Sequence, residues 1–286
     1  MNKLWPAVFI APCLLGLLVF TYWPTLQSLY YSCADWNLLG QPHWVGTANY
    51  IHLFQDPQFF QVMQTTWLFV MGTTVLEVGG GLCLALLLNR QLKWAAWYRL
   101  SYFLPFVTPM VAVSLVWGWI YDPDMGILNQ VLSQHIPWLY QPSTAMLCIM
   151  VLRLWKNVGY AMLLFLAGLQ AIPVSLDEAA SLDGAGPWRH FWYLTLPMLS
   201  PTVFFVVLIT MINAFQNFDA VYLLTQGGPN GSTQVLIYWM FEQAFLRYEI
   251  GPASATAYVL FAIIMLLTLI QWQLRKRWVL FEEDVS

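Results

Sequence analysis

Six stretches of this chain are long and apolar enough to cross a lipid bilayer, at about 7–30, 66–88, 102–121, 145–171, 201–224 and 254–274. A helix needs about twenty apolar residues to span about 30 Å of hydrocarbon. Inside lipid each backbone N–H and C=O must be satisfied within the protein, so such runs are helices. Of 286 residues, 59% are hydrophobic and 9% charged, which is more apolar surface than one soluble core can use; soluble domains carry about a quarter charged residues. The expected fold class is an all-α polytopic membrane protein with six transmembrane helices. Pro12, Pro24, Pro105, Pro109 and the run Gly79 to Gly81 fall inside these stretches. They are read as tolerated, because neighbouring helices and water satisfy the backbone they free. The first run exceeds the 7–15 residues of a signal-peptide core and no small-residue cleavage site closes it, so it is read as an uncleaved span.

Lys and Arg set the expected orientation. Segments 31–65 and 122–144 contain neither, although they hold Asp35, Asp56, Asp122 and Asp124. Segment 89–101 has Arg90, Lys93 and Arg99, the tail has Arg275, Lys276 and Arg277, and the N-terminus has Lys3. Both termini are therefore expected in the cytoplasm. By parity the loop 172–200 falls inside, with Arg189 as its only Lys or Arg, and 225–253 falls outside despite Arg247. Trp5, Trp23, Trp36, Trp44, Trp119 and Trp138 fall near expected interfaces, where amphipathic rings settle.

The inner loop contains a polar island, EAASLDGAGPWRHFWYLTLP from Glu178 to Pro197. Pro173 breaks the preceding run, and Ser175 to Glu178 has the S-x-x-E spacing of a capping box, with Asp177 and Glu178 expected in the first turn. Ala179, Ala180 and Ser181 keep the helix surface small, Gly184-Ala185-Gly186-Pro187 ends it, and Pro187 suits the start of another helix. Glu178-Ala179-Ala180, then Asp183-Gly184-Ala185, then Leu196-Pro197 resembles, in all its spacings, the EAA loop of binding-protein-dependent ABC importer permeases. That resemblance implies that Glu178, Ala179, Ala180, Asp183, Gly184 and Ala185 couple the chain to an ATPase cleft.

The resemblance widens to permeases of the maltose and glycerol-phosphate type. It includes Asn49-Tyr50-Ile51, Leu86 to Arg90, Leu166 to Pro173, Leu223 to Pro229 and the aromatic stretch Tyr238 to Ala244. It covers nearly the whole chain in the shorter form, and implies a single permease domain over 1–286 with its coupling loop at 174–200, a type I importer of the MetI-like permease fold. The implied partners are a second permease subunit of a different chain, two ATPase subunits and an extracytoplasmic solute-binding protein in the bacterial inner membrane. Gly227 to Gly231 is a turn cluster on the expected outer face; the family places its binding-protein contact near this region, and a plain loop fits equally.

The chain contains no Gly-Lys followed by Ser or Thr, so no P-loop. ATP and Mg are expected in the partner ATPases, with no cofactor, metal site or catalytic group in this chain. No H-E-x-x-H or G-x-S-x-G occurs, and His43, His52, His135 and His190 are read as scattered loop residues. Cys13, Cys33, Cys83 and Cys148 form no C-x-x-C pair and are read as small hydrophobes.

Polar groups inside spans are costly and mark pathways or packing. Asn213, Gln216 and Asn217 have i, i+3, i+4 spacing, which on a continuous helix places three amides near one face, with Asp219 just beyond. Amides both donate and accept, as sugar hydroxyls require; hydrogen bonding to another permease subunit is the alternative. In the resembling maltose-type permeases this part of the span lines the solute site. Asn157 and Tyr160 in the fourth span join the candidate pathway, next to Arg153 and Lys156. These cations either snorkel outward or face a wet vestibule, where an anionic solute such as glycerol phosphate fits. Glu77 lies mid-span and pairs with Arg153 or Lys156, is protonated, or relays protons; the last option would favour an ion-coupled secondary transporter. Gly79 to Gly81 beside it permits close helix approach.

Overall fold

The computed structural model describes the backbone of residues 4 to 90 and 93 to 278, and the side chains of 9 to 90 and 93 to 275. Lys3 and the side chains of Trp5, Lys276 and Arg277, used above for orientation and the interface belt, lie outside it. The first helix, α1 (Leu4–Leu17), passes through a π turn (Leu18–Tyr22) into α2 (Trp23–Ser32). Two short strands, β1 (Ala34–Asp35) and β2 (His43–Trp44), pair antiparallel with Ala34 opposite Trp44. α3 (Ala48–Gln55) leads directly to α4 (Pro57–Leu88), which begins well before the expected start at 66.

α5 (Ala95–Val107) and α6 (Met110–Ile120) meet at a 98° bend, so the third apolar run is not one straight helix. Pro109 causes the break. It has no N–H to give the Pro105 carbonyl, and it holds Thr108 extended at ψ 141°. Beyond α7 (Ile127–Leu132), α8 (Pro142–Gln170) is long and continuous. α9 (Val174–Leu182) and α10 (Pro187–His190) follow, and a π turn (Phe191–Thr195) joins α10 to α11 (Leu196–Met198). The stretch Pro187–Met198 meets α12 (Ser200–Phe215) at 67°, where Pro201 cannot donate to the Pro197 carbonyl.

α12 ends at Phe215, so the fifth run, expected helical to 224, is also broken. α13 (Asp219–Leu224) is separate from it, α14 (Leu236–Phe241) enters a π turn (Glu242–Leu246), and α15 (Ile250–Trp278) closes the chain. Among the described residues, four helical stretches are long and apolar enough to cross a bilayer, and up to six if each bent pair is one span.

The fold divides into two compact units. Among the described residues, the first gathers 4–61 and 239–262. Its organising side chain is Asn49, buried, whose Nδ2 donates to the carbonyls of Ser32 (3.0 Å) and Ala34 (2.9 Å). Tyr50 donates to Ser32 Oγ at 2.8 Å, and Thr256 donates to Gln243 Oε1 at 2.9 Å. Gly251 lets α15 start against this knot, since a Cβ there would lie 2.2 Å from the Ala34 oxygen.

Among the described residues, the second unit comprises 62–90, 93–238 and 263–278. Its core is apolar: Ala85 and Leu88 of α4, Ala161, Met162, Phe165, Leu166 and Leu169 of α8, then Leu199 and Val206. Small residues let helices close on each other. A Cβ on Gly81 would lie 2.6 Å from that of Ala161, and one on Gly159 would lie 1.8 Å from the Tyr102 oxygen. Gly79 meets nothing within 4 Å, so of the glycine run Gly80 and Gly81 carry the packing. A smaller cluster joins Tyr121, Leu139 and Cys148, with Trp138 packed against it.

Candidate functional site

The polar island forms a helix, α9, but not with the expected cap. Pro173 is the N-cap, at φ −61° and ψ 130°, and no side chain caps it. Helical geometry begins at Val174, so Ser175 is already inside, and only Asp177 of the two acids lies in the first turn. The far end follows the sequence: Gly184 takes φ +71°, Ala185 N–H reaches the Ala180 carbonyl (3.0 Å) and Gly184 N–H that of Ser181 (3.2 Å), a Schellman closure. Glu178, Ala179, Asp183 and Gly184 are exposed, with Ala180 and Ala185 half-buried, so all the expected coupling residues lie together on an accessible stretch. Leu182 is 89% and Trp188 73% exposed, an apolar surface beside small residues.

His190 is not an idle loop residue. It closes α10, its Nε2 lies 2.9 Å from Asp177 Oδ1, and its Nδ1 lies 3.2 Å from Thr195 Oγ1. It thereby ties α9 to the following turn. His52 likewise lies on a helix, α3.

In the second unit α4, α8 and α12 enclose a polar centre. Arg153 Nε is 2.8 Å from Glu77 Oε1, which resolves the choice of partner for that carboxylate. Asn157 Nδ2 donates to the same oxygen at 3.3 Å, and Arg153 Nη1 donates to the Asn213 carbonyl at 3.2 Å. The guanidinium also lies 5.9 Å from the Phe69 ring centroid. Lys156 neither pairs with Glu77 nor snorkels freely: Nζ donates to the carbonyls of Pro105 (3.1 Å), Phe106 (3.1 Å) and Thr108 (2.7 Å). Tyr160 stacks on Phe106, centroids 4.6 Å apart at 9°.

The amide strip is not a helix face. Gln216 is the C-cap of α12 and Asn217 lies past it. Asn213, Gln216 and Asp219 are exposed, whereas Asn217 Nδ2 is buried and has no hydrogen-bond partner among the described residues. The spacing argument assumed a helix continuous through 217, and the chain leaves the helix one residue after Phe215. Sequence reasoning missed the aromatic group beside it. Phe218 and Tyr222 stack with centroids 5.1 Å apart, and Tyr238 lies 6.2 Å from Phe218. The i, i+4 spacing of Phe218 and Tyr222 was the available signal. The glycine-rich turn is pinned beside this group: Gly227 abuts Tyr238, and buried Thr233 donates to the Gly228 carbonyl at 2.7 Å.

Residues 77–279 match the family described as the binding-protein-dependent transport system inner membrane component. The chain belongs to this family. Members are membrane permease components of ABC importers, and the loop and polar centre above both fall inside the matched region. The permease is 37% identical over 284 residues to the probable ABC transporter permease protein YurN of Bacillus subtilis (strain 168), covering 96% of this chain and 97% of that one. It is 32% identical over 277 residues to the sn-glycerol-3-phosphate transport system permease protein UgpA of Agrobacterium fabrum (strain C58 / ATCC 33970), covering 95% and 94%. Among solved structures, a chain of a bacterial alginate ABC transporter, in complex with alginate pentasaccharide-bound periplasmic protein, superposes with a TM-score of 0.85. That match covers 96% of this permease and 95% of that chain at 20% identity, and it establishes the fold.

Proposed function

We propose that this permease forms, with a second and different permease chain, the pathway of an ATP-driven importer for a sugar or a related polyol or glycoside. The observation that carries the reading is α9, an exposed helix of small residues inside the family's matched region. On this reading 1–286 is one permease domain in the inner membrane with both termini and the 174–200 loop in the cytoplasm. Two ATPase subunits, which hold the ATP and Mg, dock on Glu178, Ala179, Ala180, Asp183, Gly184 and Ala185. Their closure pushes α9 as a rigid body, the pathway opens outward to an external binding protein, and hydrolysis reverses it.

The solute side rests on Asn213 and Gln216 at the end of α12 and Asp219 at the start of α13, all exposed and close in the chain to the stacked Phe218 and Tyr222 rings. Asn157 and Tyr160 belong to the lining by position, whereas the buried Nδ2 of Asn217 sets that residue apart from it. Arg153 and Lys156 are occupied by protein groups, which supports a neutral solute over an anion. The UgpA relatives, named for sn-glycerol-3-phosphate, favour glycerol phosphate as the second reading. Ion coupling through Glu77 loses support, because that carboxylate is held by Arg153 and Asn157.

A mild-detergent pull-down of the tagged chain from its host tests the class. Recovery of a P-loop ATPase and a second permease is expected, with uptake that survives a proton-gradient uncoupler at constant ATP. Active chain recovered alone, or uptake that collapses with the gradient, would overturn the reading.

A further inference from the structure

α8 carries two cations one turn apart, and each meets the C-terminal end of a helix that breaks inside an apolar run. The last carbonyls of a helix have no intrahelical partner, and in a bilayer they cannot turn to water. At the end of α5, Pro109 supplies no N–H for the Pro105 carbonyl, and the bend takes the Phe106 and Thr108 carbonyls out of register with α6. Lys156 donates to all three: its Nζ reaches the oxygens at 3.1, 3.1 and 2.7 Å, and the Pro105 oxygen also accepts from the Thr108 N–H and hydroxyl. At the end of α12, Gln216 N–H goes back to Ile212 and Asn217 N–H to Ala214, which leaves the Asn213 carbonyl to Arg153. Glu77 balances that guanidinium at 2.8 Å. A cation at a helix C-terminus is also favoured by the macrodipole.

We propose that Arg153 and Lys156 are positioning residues for transport, pinning both helix breaks to the one rod, α8, that leads into the ATPase-docking helix. This rests on the importer reading above. α8 is uninterrupted from Pro142 to Gln170, and only Ala171 to Pro173 separate it from α9. From Lys156 to the end of α8 is about 21 Å at 1.5 Å rise per residue. α8 is also locked to α5 at Gly159, where no Cβ fits against the Tyr102 oxygen, and by the Tyr160–Phe106 stack. Movement of α9 is therefore delivered, through α8, to the elbow at Thr108 and to the end of α12, where Asn213 and Gln216 are exposed. The two cations act on solute by placing those segments, without touching it.

The test uses the whole importer, with its ATPases, second permease and binding protein, reconstituted in vesicles. Solute uptake and ATP hydrolysis are measured together for Lys156→Met, which keeps the stem without the charge, and Lys156→Arg, which keeps the donors. The expected result is that Lys156→Met assembles and hydrolyses ATP while uptake per ATP falls about tenfold, the scale of an ordinary coupling free energy. Lys156→Arg should recover most of that ratio. An unchanged uptake-to-hydrolysis ratio in Lys156→Met overturns the proposal, as does an equal loss in Lys156→Arg. Should Lys156→Met not assemble, Lys156→Gln, which is uncharged, shorter and keeps only two donors, takes its place: a ratio below that of Lys156→Arg is expected, and a wild-type ratio overturns the proposal. If the wild-type chain itself shows no ATP-dependent uptake, it is the importer reading that fails.

Discussion

The Glu77 carboxylate sits 2.8 Å from Arg153 Nε, with only 4% and 6% of the two side chains exposed. Removing one member of a buried ion pair leaves the other charge uncompensated, at a cost of about 3–5 kcal/mol. Arg153→Met should therefore lower the thermal stability of the detergent-solubilised permease far more than Glu77→Gln with Arg153→Met together. The double variant retains Asn157 as a donor to residue 77. Equal destabilisation by the single and the double variant would show that the pair's charge balance is not what matters.

Glycines on the second unit's helices make a sharper contrast than sequence alone allows. A Cβ at Gly159 would lie 1.8 Å from the Tyr102 carbonyl oxygen, a backbone atom that cannot rotate away. Gly79 has no atom within 4 Å of its Cβ position. Gly159→Ala should abolish recovery of folded permease from membranes, whereas Gly79→Ala should be recovered at wild-type yield. Both are read by size-exclusion profiles of the solubilised protein.

Gly184 separates folding from coupling. Its φ of +71° disfavours an L side chain, yet open space surrounds it, so a leucine, which is not branched at Cβ, costs about 1–2 kcal/mol locally. Gly184→Leu should leave the chain folded and inserted. It should cut ATP-driven uptake while hydrolysis by the partner subunits continues. Normal transport by this variant would count against docking at α9.

What the sequence made legible follows from where the controlling forces are local. The apolar runs were readable because lipid imposes their length, and the Gly184 closure because a left-handed residue ends a helix wherever it falls. The two breaks were not, although Pro109 and Pro201 were in plain view. Whether a proline is tolerated depends on what caps the freed carbonyls, and for α5 the neighbouring Thr108 shares that work with Lys156, about fifty positions away in the chain. Glu77 had two candidate partners a turn apart, and only the packing of α4 on α8 selects Arg153. Ser175 matched a capping box, but Pro173 had already turned the chain into the helix.

The three amides near the end of α12 should now divide into two kinds. Asn213 and Gln216 are exposed, while Asn217 Nδ2 is buried without a partner among the described residues. If the first two meet solute, Asn213→Ala and Gln216→Ala should raise KM for uptake with little change in thermal stability. Each neutral hydrogen bond lost is worth about 0.5–1.5 kcal/mol, or roughly two- to tenfold in KM. Asn217→Ala removes a buried amide nitrogen that no described residue satisfies, so it should leave KM unchanged and hold or raise stability. Asn217→Ala raising KM as Gln216→Ala does would place all three on the solute, and would mean that the chain at 216–218 rearranges when the pathway is occupied.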